Sequence, residues 1–289
     1  MQKIEPQIID KLKYIKITND KTDISQFPNF LVLGPQRTGT TWLSENLRLH
    51  PEVFFTEPKE IFFFNTLNNI NHPLYQSNEL AWYLNFFKTN FQELFKKNLI
   101  FILKYREFYR PKIRGEGTAC NATLPKSIIQ EIVALNPDIK CILMIRNPVK
   151  RAWAHAKKDL LNRTERNLEE VSDSEFEKFF RQKYQLSCGN YTTIINNWTT
   201  YLKNGNLFIG TFDEIAEAPK ELLLRVFDFL EISTNPKYVD NVKSKQKVQA
   251  TDINQKARKL PQKYQTILEE IFNDEIVKLE KMLGKALVK

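Results

Sequence analysis

The stretch of sequence that most constrains the fold runs from Phe30 to Leu43 and reads FLVLGPQRTGTTWL. An apolar run is followed by a polar turn that contains Gly34 and Gly39, and then by the start of a helical pattern. A strand, a loop and a helix N-terminus in this order point backbone N–H groups and the positive end of a helix dipole at one place. The stretch therefore predicts a binding site for an anionic group.

The glycine spacing is that of a nucleotide-binding phosphate loop, but the lysine that defines such loops is missing. The Walker pattern requires Lys after its second glycine, and Thr40 occupies that position here. The cation of this loop is Arg37, which carries a fixed charge and a planar fork of donors. A P-loop nucleotide kinase remains an alternative reading, and Thr40 argues against it.

A second arginine follows another apolar run. The run Cys141–Ile145 leads directly to Arg146, and Pro148 then opens a helix, a position in which proline is favoured. Nucleotide hydrolases need an acidic residue near such a strand end to hold Mg²⁺. Arg146 would instead repel the metal and attract a phosphate.

The composition fits a chain with a large buried core. Its 289 residues are 42% hydrophobic, yet the longest apolar runs are the length of a strand and too short to span a bilayer. The N-terminus alternates charged and apolar residues and does not resemble a secretory signal. The three cysteines and three histidines lack metal-binding spacing. We therefore expect a cytoplasmic protein with reduced thiols and no metal.

The formal net charge of +9 leaves open a non-catalytic protein that binds nucleic acid or another anionic polymer. The basic residues, however, are spread along the whole chain instead of being gathered in one tail. A positive field suits a polyanionic small molecule equally well, and a solvated lysine-rich surface needs no partner. We expect no nucleic-acid partner, and the oligomeric state is left open.

The order of the patterns predicts one α/β domain with a central, mostly parallel sheet that is flanked by helices. We treat residues 1–289 as one unit, with 1–27 as an N-terminal extension. Asn65–Ser77 reads as a loop, and Leu99–Leu103 fits a strand or a buried helical turn. The predicted strands are Phe30–Leu33, Val53–Phe55, Ile113–Gly115, Lys140–Ile145 and Leu207–Gly210. The predicted helices are Thr41–Leu49, Pro125–Leu135, Val149–Asn162, Phe176–Lys183, Tyr191–Leu202, Lys220–Leu230 and Lys263–Leu283.

A candidate general base lies in the segment Thr56–Asn65, which reads TEPKEIFFFN. A hydroxyl group that acts as a nucleophile must lose its proton as its new bond forms. A carboxylate in a partly apolar pocket is suited to take that proton. Glu60 lies beside a phenylalanine cluster and has that setting, with Glu57 as the second choice. Histidine is the commonest base, but a lone His155 on a helix is more often a packed residue. The charged run could also be a solvated turn.

Taken together, the loop Gly34–Thr41 and the strand that ends in Arg146 resemble the sulfotransferases that use 3′-phosphoadenosine 5′-phosphosulfate (PAPS). That family carries a Lys or Arg inside the loop, then Gly-Thr-Thr or Gly-Thr-Ser, and a strand–Arg-Asp-Pro–helix motif. The resemblance runs from about Phe30 to about Leu283 and leans toward glycan sulfotransferases. It implies sulfuryl transfer, without a metal, to a hydroxyl or amine of a glycan or of a small natural product such as an alkaloid.

The resemblance implies which residues hold the donor. Arg146 would contact the 3′-phosphate, and Ala154 stands where the family has a helical serine that also donates to it. Tyr191 would pack near the adenine, and Lys245 and Lys247 would be late contacts of the 3′-phosphate. The 5′-phosphosulfate would be held by Arg37, Thr38, Gly39, Thr40, Thr41 and Trp42.

The resemblance also implies the catalytic and acceptor residues. Glu60 matches the base of the glycan sulfotransferases, which lies just before a short aromatic pair. Arg37 and Lys59 would stabilise the charge that grows on the leaving oxygen. Glu116 would hold the acceptor or buttress Arg37. The acceptor pocket would be bordered by Phe62, Phe63, Glu116 and Thr118.

Overall fold

Five short segments form a parallel β-sheet at the centre of the fold, in the order β2-β3-β1-β4-β5. The computed structural model describes residues 4–18, 22–240, 242 and 259–287. All four pairings between neighbouring strands are parallel. The predicted sheet is thereby confirmed, with its strands at β1 (Phe30–Leu33), β2 (Val53–Phe55), β3 (Ile113–Glu116), β4 (Lys140–Ile145) and β5 (Leu207–Thr211).

The strands β1 and β4 are apolar along almost their whole length. Every residue of β1 and nearly every residue of β4 is buried, as expected of parallel strands with helices on both faces. Alternate side chains enter separate clusters: Leu31 and Leu143 lie in one, and Phe30 and Ile142 lie in the other. The sheet therefore divides the core into two layers.

Each of the seven predicted helices has a counterpart in the structure, with ends that differ by a few residues. The helices are α1 (Pro6–Ile9), α2 (Thr40–Leu47), α3 (Leu80–Leu84), α4 (Phe91–Tyr105), α5 (Lys126–Leu135), α6 (Pro148–Ala156), α7 (Asp173–Phe180), α8 (Lys183–Gly189), α9 (Tyr191–Thr199), α10 (Glu214–Glu217), α11 (Pro219–Phe229) and α12 (Gln262–Leu283). Five further helices in the described part of the chain, α1, α3, α4, α8 and α10, have no predicted counterpart, and Leu99–Leu103 lies inside α4, a helix of fifteen residues.

Two further features complete the frame. A π-helical turn, Lys157–Asn162, continues α6 within the predicted span Val149–Asn162. The segment before β1 packs on the domain, because backbone N–H groups of residues 13–15 donate to the carboxylate of Glu131 on α5. The predicted division at residue 27 stays a prediction.

The topology brings the two arginine motifs together. Strands β1 and β4 are neighbours, so the loop after β1 and Arg146 after β4 lie at the same edge of the sheet. Open parallel sheets bind their ligands beyond the carboxyl ends of the strands. Among the described residues, no helix is long and apolar enough to cross a membrane.

Candidate active site

The loop between β1 and α2 has a shape that two glycines make possible. A Cβ atom on Gly34 would lie 2.3 Å from the carbonyl oxygen of Ala119, which leaves no room for a side chain. Gly39 has a φ of 94° and would place its Cβ 2.3 Å from Cδ1 of Ile215. Only glycine meets both demands without strain.

The start of α2 is open to an anion. Its N-cap residue is Gly39, which has no side chain with which to cap the first N–H groups of the helix. The positive end of the helix dipole lies at the same place. The hydroxyl of Thr38 is buried and donates to the carbonyl oxygen of Pro35 at 2.7 Å, so it shapes the loop from inside. Thr41 is half-buried in the first turn of α2, and Trp42 is packed into the core.

Lys59 connects this loop with the candidate base. Its Nζ lies 3.2 Å from Oγ1 of Thr40 and 3.1 Å from Oε1 of Glu60. The backbone is held as well, since Gly117 N–H donates to the carbonyl oxygen of Lys59 at 3.1 Å. Glu60 keeps about a third of its side chain exposed, at 31%. The structure therefore brings Lys59, Glu60 and the loop into one place.

Arg146 lies against the loop from the side of β4. Its Nη1 donates to the carbonyl oxygen of Arg37 at 3.2 Å, and its guanidinium stacks 4.1 Å from the ring centre of Phe212. The Nε is buried and has no hydrogen-bond partner among the described residues. Burial is the main cause that lowers the pKa of Arg146 to about 10, and the charge of Arg37 lowers it further. An anionic ligand would offset both costs.

The backbone of Arg37 is unusual for a residue with a side chain. Its φ is 72°, in the left-handed region that few non-glycine residues adopt. Such strain persists where the surroundings enforce it, and it concentrates at functional sites. The site would suit a ligand with an anionic group at each end. Arg146 contacts the backbone of Arg37, its buried Nε has no partner among the described residues, and the N-terminus of α2 has no side-chain cap.

Glu116 and Thr118 form a buried network behind the segment that carries Glu60. The two oxygens of Glu116 accept hydrogen bonds from the amide and hydroxyl groups of Thr118 and from Nδ2 of Asn121, at 2.6–2.9 Å. The hydroxyl oxygen of Thr118 in turn accepts from the backbone N–H of Ile61 at 3.0 Å. Burial raises the pKa of Glu116 to about 7, and the charge of Glu60 adds to the increase, while the hydrogen bonds oppose it.

Three of the predicted acceptor contacts are buried and have other partners in this structure. Glu116, Thr118 and Phe63 are all at most 2% exposed, so an acceptor cannot reach them in this conformation. Glu116 contacts Thr118 and Asn121, which does not support the predicted contact with Arg37. Phe63 stacks on Tyr83 with ring centres 4.7 Å apart. Phe62 is half-buried, with a φ of 58°, and stays a candidate contact.

Apart from Arg146, the predicted PAPS contacts beyond the loop and α2 are either buried or outside the described residues. Tyr191 is fully buried, and its hydroxyl oxygen accepts from the backbone N–H of Arg146 at 3.2 Å. Tyr191 thus supports Arg146 and does not present its ring to an adenine in this conformation. Ala154 is buried on α6, with 6% exposed. Lys245 and Lys247 lie outside the described residues.

The two rival bases have other partners. His155 is buried, with Nε2 3.3 Å from Oδ2 of Asp159 and Nδ1 3.4 Å from Nη1 of Arg151. Burial lowers its pKa, so the packed reading of this histidine fits the structure. Glu57 is largely exposed and lies 3.3 Å from Arg48. Neither residue has the contacts with the loop that Glu60 has through Lys59.

Lys158, which the sequence does not single out, lies near enough to Arg37 and Glu60 for their charges to act on it. It lies half-buried in the π-helical turn that follows α6. Burial is the main cause that lowers its pKa, and the charges of Arg37 and Glu60 act on it in opposite directions. The only signal in the sequence is the pair Lys157–Lys158 inside a predicted helix, which reads as a solvated face. Among the described residues, no cluster of His, Cys, Asp and Glu could hold a metal ion.

Comparison with known proteins adds the family. A model of the sulfotransferase domain matches residues 27–281. The human bifunctional heparan sulfate N-deacetylase/N-sulfotransferase 2 is 28% identical over 245 residues, which cover 78% of this chain and 24% of that protein. The chain thus spans about a quarter of the length of this relative.

Solved structures show the same fold. A sulfotransferase from Alicyclobacillus acidocaldarius has a TM-score of 0.63 at 21% identity and covers 90% of this chain and 97% of its own. Mouse sulfotransferase SULT7A1, solved as a complex with PAP, has a TM-score of 0.52 at 16% identity, with coverages of 97% and 94%. The family match over residues 27–281 includes the loop of Arg37 and the strand end at Arg146, and the chain accordingly belongs to the sulfotransferase family of enzymes.

Proposed function

We propose that this enzyme transfers the sulfuryl group of PAPS to a hydroxyl or amine group and releases adenosine 3′,5′-bisphosphate (PAP). The observation that carries the proposal is the contact between Nη1 of Arg146 and the carbonyl oxygen of Arg37 at 3.2 Å. It places the Arg146 guanidinium against the backbone of the loop that carries Arg37. Two arginines thus belong to one edge of the sheet, where a nucleotide with phosphate groups at both ends would need them. The PAP bound by the mouse structural neighbour supports the same ligand.

The chain's own residues suit this reaction. PAPS supplies an activated sulfuryl group: its S–O bond to the 5′-phosphate breaks while a bond from sulfur to the acceptor forms. Arg37 and the open N-terminus of α2 would hold the phosphosulfate end, and Arg146 would hold the 3′-phosphate. Sulfuryl transfer, like phosphoryl transfer, depends on positioning and on electrostatic stabilisation.

The proton of the acceptor would go to Glu60. This carboxylate is partly exposed and hydrogen-bonded to Lys59, so an acceptor could reach it and Lys59 holds it in place. Lys59 and Arg37 would offset the negative charge that grows on the phosphate oxygen as the S–O bond breaks. Because Lys59 also contacts Thr40, the same ammonium group lies between the base and the donor loop.

The acceptor is proposed to be a glycan. The human relative is named as a heparan sulfate N-sulfotransferase, and Glu60 matches the glycan type of the family. A small natural product is the second candidate, because the half-buried Phe62, two residues after Glu60, would offer it an apolar contact. We further propose that the enzyme is cytoplasmic and that residues 1–289 act as one unit with an extension at 1–27.

The experiment that tests the function is incubation of the purified protein with PAPS and a panel of acceptors. Desulfated heparan oligosaccharides, amino sugars, phenols and polar alkaloids would be included, and mass spectrometry would detect the gain of one SO₃ group. We expect PAP and a sulfated product to form in equal amounts, with both formed far more slowly by Glu60→Gln and at the wild-type rate by Glu57→Gln. Turnover of ATP with Mg²⁺, or tight salt-sensitive binding of DNA without any PAP formation, would contradict the proposal.

A further inference from the structure

Helix α4 carries an apolar face that the rest of the described chain leaves uncovered. Its buried side is short, with Phe101 and Tyr105 packed in the core layer of β2. The outward face, which we call the α4 apolar face, has exposed fractions of 39–81%. It consists of Phe91, Phe95, Leu99, Ile102 and Leu103.

The spacing of these residues makes one continuous stripe. Positions 91, 95, 99, 102 and 103 recur at three- and four-residue intervals, so they share one side of the helix. A helix on the surface of a globular protein normally turns charged and polar residues outward. A contiguous exposed patch of large apolar side chains indicates an interaction surface.

The helix is fixed in this orientation. Its N-terminus is capped by Asn90, whose Oδ1 accepts from Glu93 N–H at 2.8 Å. Beyond its C-terminus, Tyr109 N–H donates to Oδ1 of Asn98 at 2.9 Å, and the Tyr109 hydroxyl donates to the carbonyl oxygen of Val53 at 3.1 Å. The Asn90 contact caps the helix locally, and the two Tyr109 contacts tie α4 to β2. The α4 apolar face cannot turn inward without breaking the Tyr109 contacts.

The charge around the face selects an anionic occupant. Residues 91–112 contain six basic and two acidic side chains, and Glu107 is engaged by Lys237 and Tyr238. Lys96, Lys104 and Arg106 are exposed, as is Arg110 beside the exposed ring of Phe108. A second copy of this chain would bring the same positive charges together, which is unfavourable.

We propose that α4 binds the surface of a membrane that contains anionic lipids. Its apolar face enters the boundary between headgroups and acyl chains, and the basic residues contact the lipid phosphates. Phe and Leu on one side with Lys and Arg around them are the features of a helix that lies in this plane. A polyanion such as DNA or heparin would engage the basic residues but would leave the apolar face exposed.

Sedimentation with lipid vesicles tests this binding. Vesicles of phosphatidylcholine alone would be compared with vesicles that also contain phosphatidylglycerol. We expect the protein to sediment with the anionic vesicles only, and to do so less as salt increases. The double variant F95S/L103S should lower the vesicle-binding constant at least roughly tenfold, while PAP binding remains as in the wild type.

A matched control comes from α12, where Val277 and Met282 are also exposed. The variant V277S/M282S removes apolar surface away from α4 and should bind vesicles like the wild type. The charge variant K96E/K104E should reduce binding to anionic vesicles by a comparable factor. Failure to bind anionic vesicles, equal binding to neutral ones, or unchanged binding by F95S/L103S would overturn the proposal. A wild-type dimer that F95S/L103S converts to a monomer in light scattering would assign the face to a second copy and also overturn it.

Discussion

The ammonium group of Lys59 donates to Oε1 of Glu60 at 3.1 Å and also contacts Oγ1 of Thr40. An ion pair between neighbouring residues on a solvated turn usually contributes little to folding stability. Here the pair lies next to Thr40, at the end of the loop between β1 and α2. Lys59 is mostly buried, with 13% of its side chain exposed. The segment 56–60 thereby becomes part of the active site instead of a connection beside it.

Replacement of Glu60 by Gln should remove the base while keeping the shape of the side chain. We expect the turnover number to fall by roughly a hundredfold or more, with PAP affinity nearly unchanged because Glu60 does not hold the nucleotide. Steady-state kinetics and calorimetry would measure the two quantities. Glu57→Gln, on the exposed carboxylate that pairs with Arg48, should retain wild-type turnover. Equal turnover in Glu60→Gln and the wild type would exclude this residue as the base.

Replacement of Lys59 by Met tests the proposed stabilisation of the leaving oxygen. Met has a similar length but no charge, so the turnover number should fall by roughly tenfold to a thousandfold. Lys59→Arg keeps the charge and should recover part of that loss. Single-turnover measurements with saturating PAPS would separate chemistry from binding. A loss confined to substrate affinity, with chemistry at the wild-type rate, would show that Lys59 only binds.

Thr118 should matter for both folding and activity, although it is fully buried. Thr118→Val removes the acceptor of the Ile61 N–H and one donor to Glu116, and leaves polar groups unsatisfied. The expected loss in free energy of unfolding is about 1–3 kcal/mol, with a lower turnover number because the Glu60 segment loses its support. Urea unfolding and kinetics would measure both effects. Thr118→Ser keeps the hydroxyl and should restore both, and a serine variant as impaired as the valine variant would argue against the hydrogen bonds.

Glu116 should make folding stability depend on pH. Its pKa rises from 4.5 to about 7 on folding because the carboxyl is buried, so the folded state binds more protons than the unfolded state between these values. The free energy of unfolding should therefore fall as pH rises through that window, by roughly 1–3 kcal/mol. Urea unfolding between about pH 5 and pH 8 would measure it.

Glu116→Gln is the matching control. The neutral amide cannot titrate, so this contribution to the pH dependence should disappear. Asn121 can accommodate the new NH₂ group by an amide flip, since its Oδ1 is buried and has no partner among the described residues. A wild-type curve that parallels that of Glu116→Gln across the window would mean that Glu116 stays ionised in the folded protein.

Much of this structure could be predicted from local sequence. Strands β1 and β4 are continuous apolar runs because both of their faces are buried, and the glycines of the loop mark where a side chain cannot fit. Helix α4 could not be predicted, because apolar residues occupy both its buried and its exposed sides and hide its periodicity. An amphipathic pattern is visible only when one side of a helix is polar.

The side-chain roles depended on contacts between distant parts of the chain. Arg146 meets the carbonyl of Arg37 across 109 residues, and the topology of a parallel sheet makes that meeting predictable. No such rule predicts whether the side chain of Thr118 or Tyr191 is exposed at the site or buried in the core, since threonine and tyrosine are common in both environments. Their burial follows from partners at Ile61 and Arg146, which a single sequence does not reveal.

The central claim, that Arg146 holds the 3′-phosphate, is tested most directly by calorimetry with two nucleotides. PAP and adenosine 5′-monophosphate differ by that phosphate alone, and both would be titrated into the wild type, Arg146→Ala and the exposed control Arg181→Ala. We predict that wild type and Arg181→Ala prefer PAP by roughly tenfold to a hundredfold. Arg146→Ala should bind the two nucleotides with nearly equal affinity. A folded Arg146→Ala protein that retains the full preference for PAP would contradict the account.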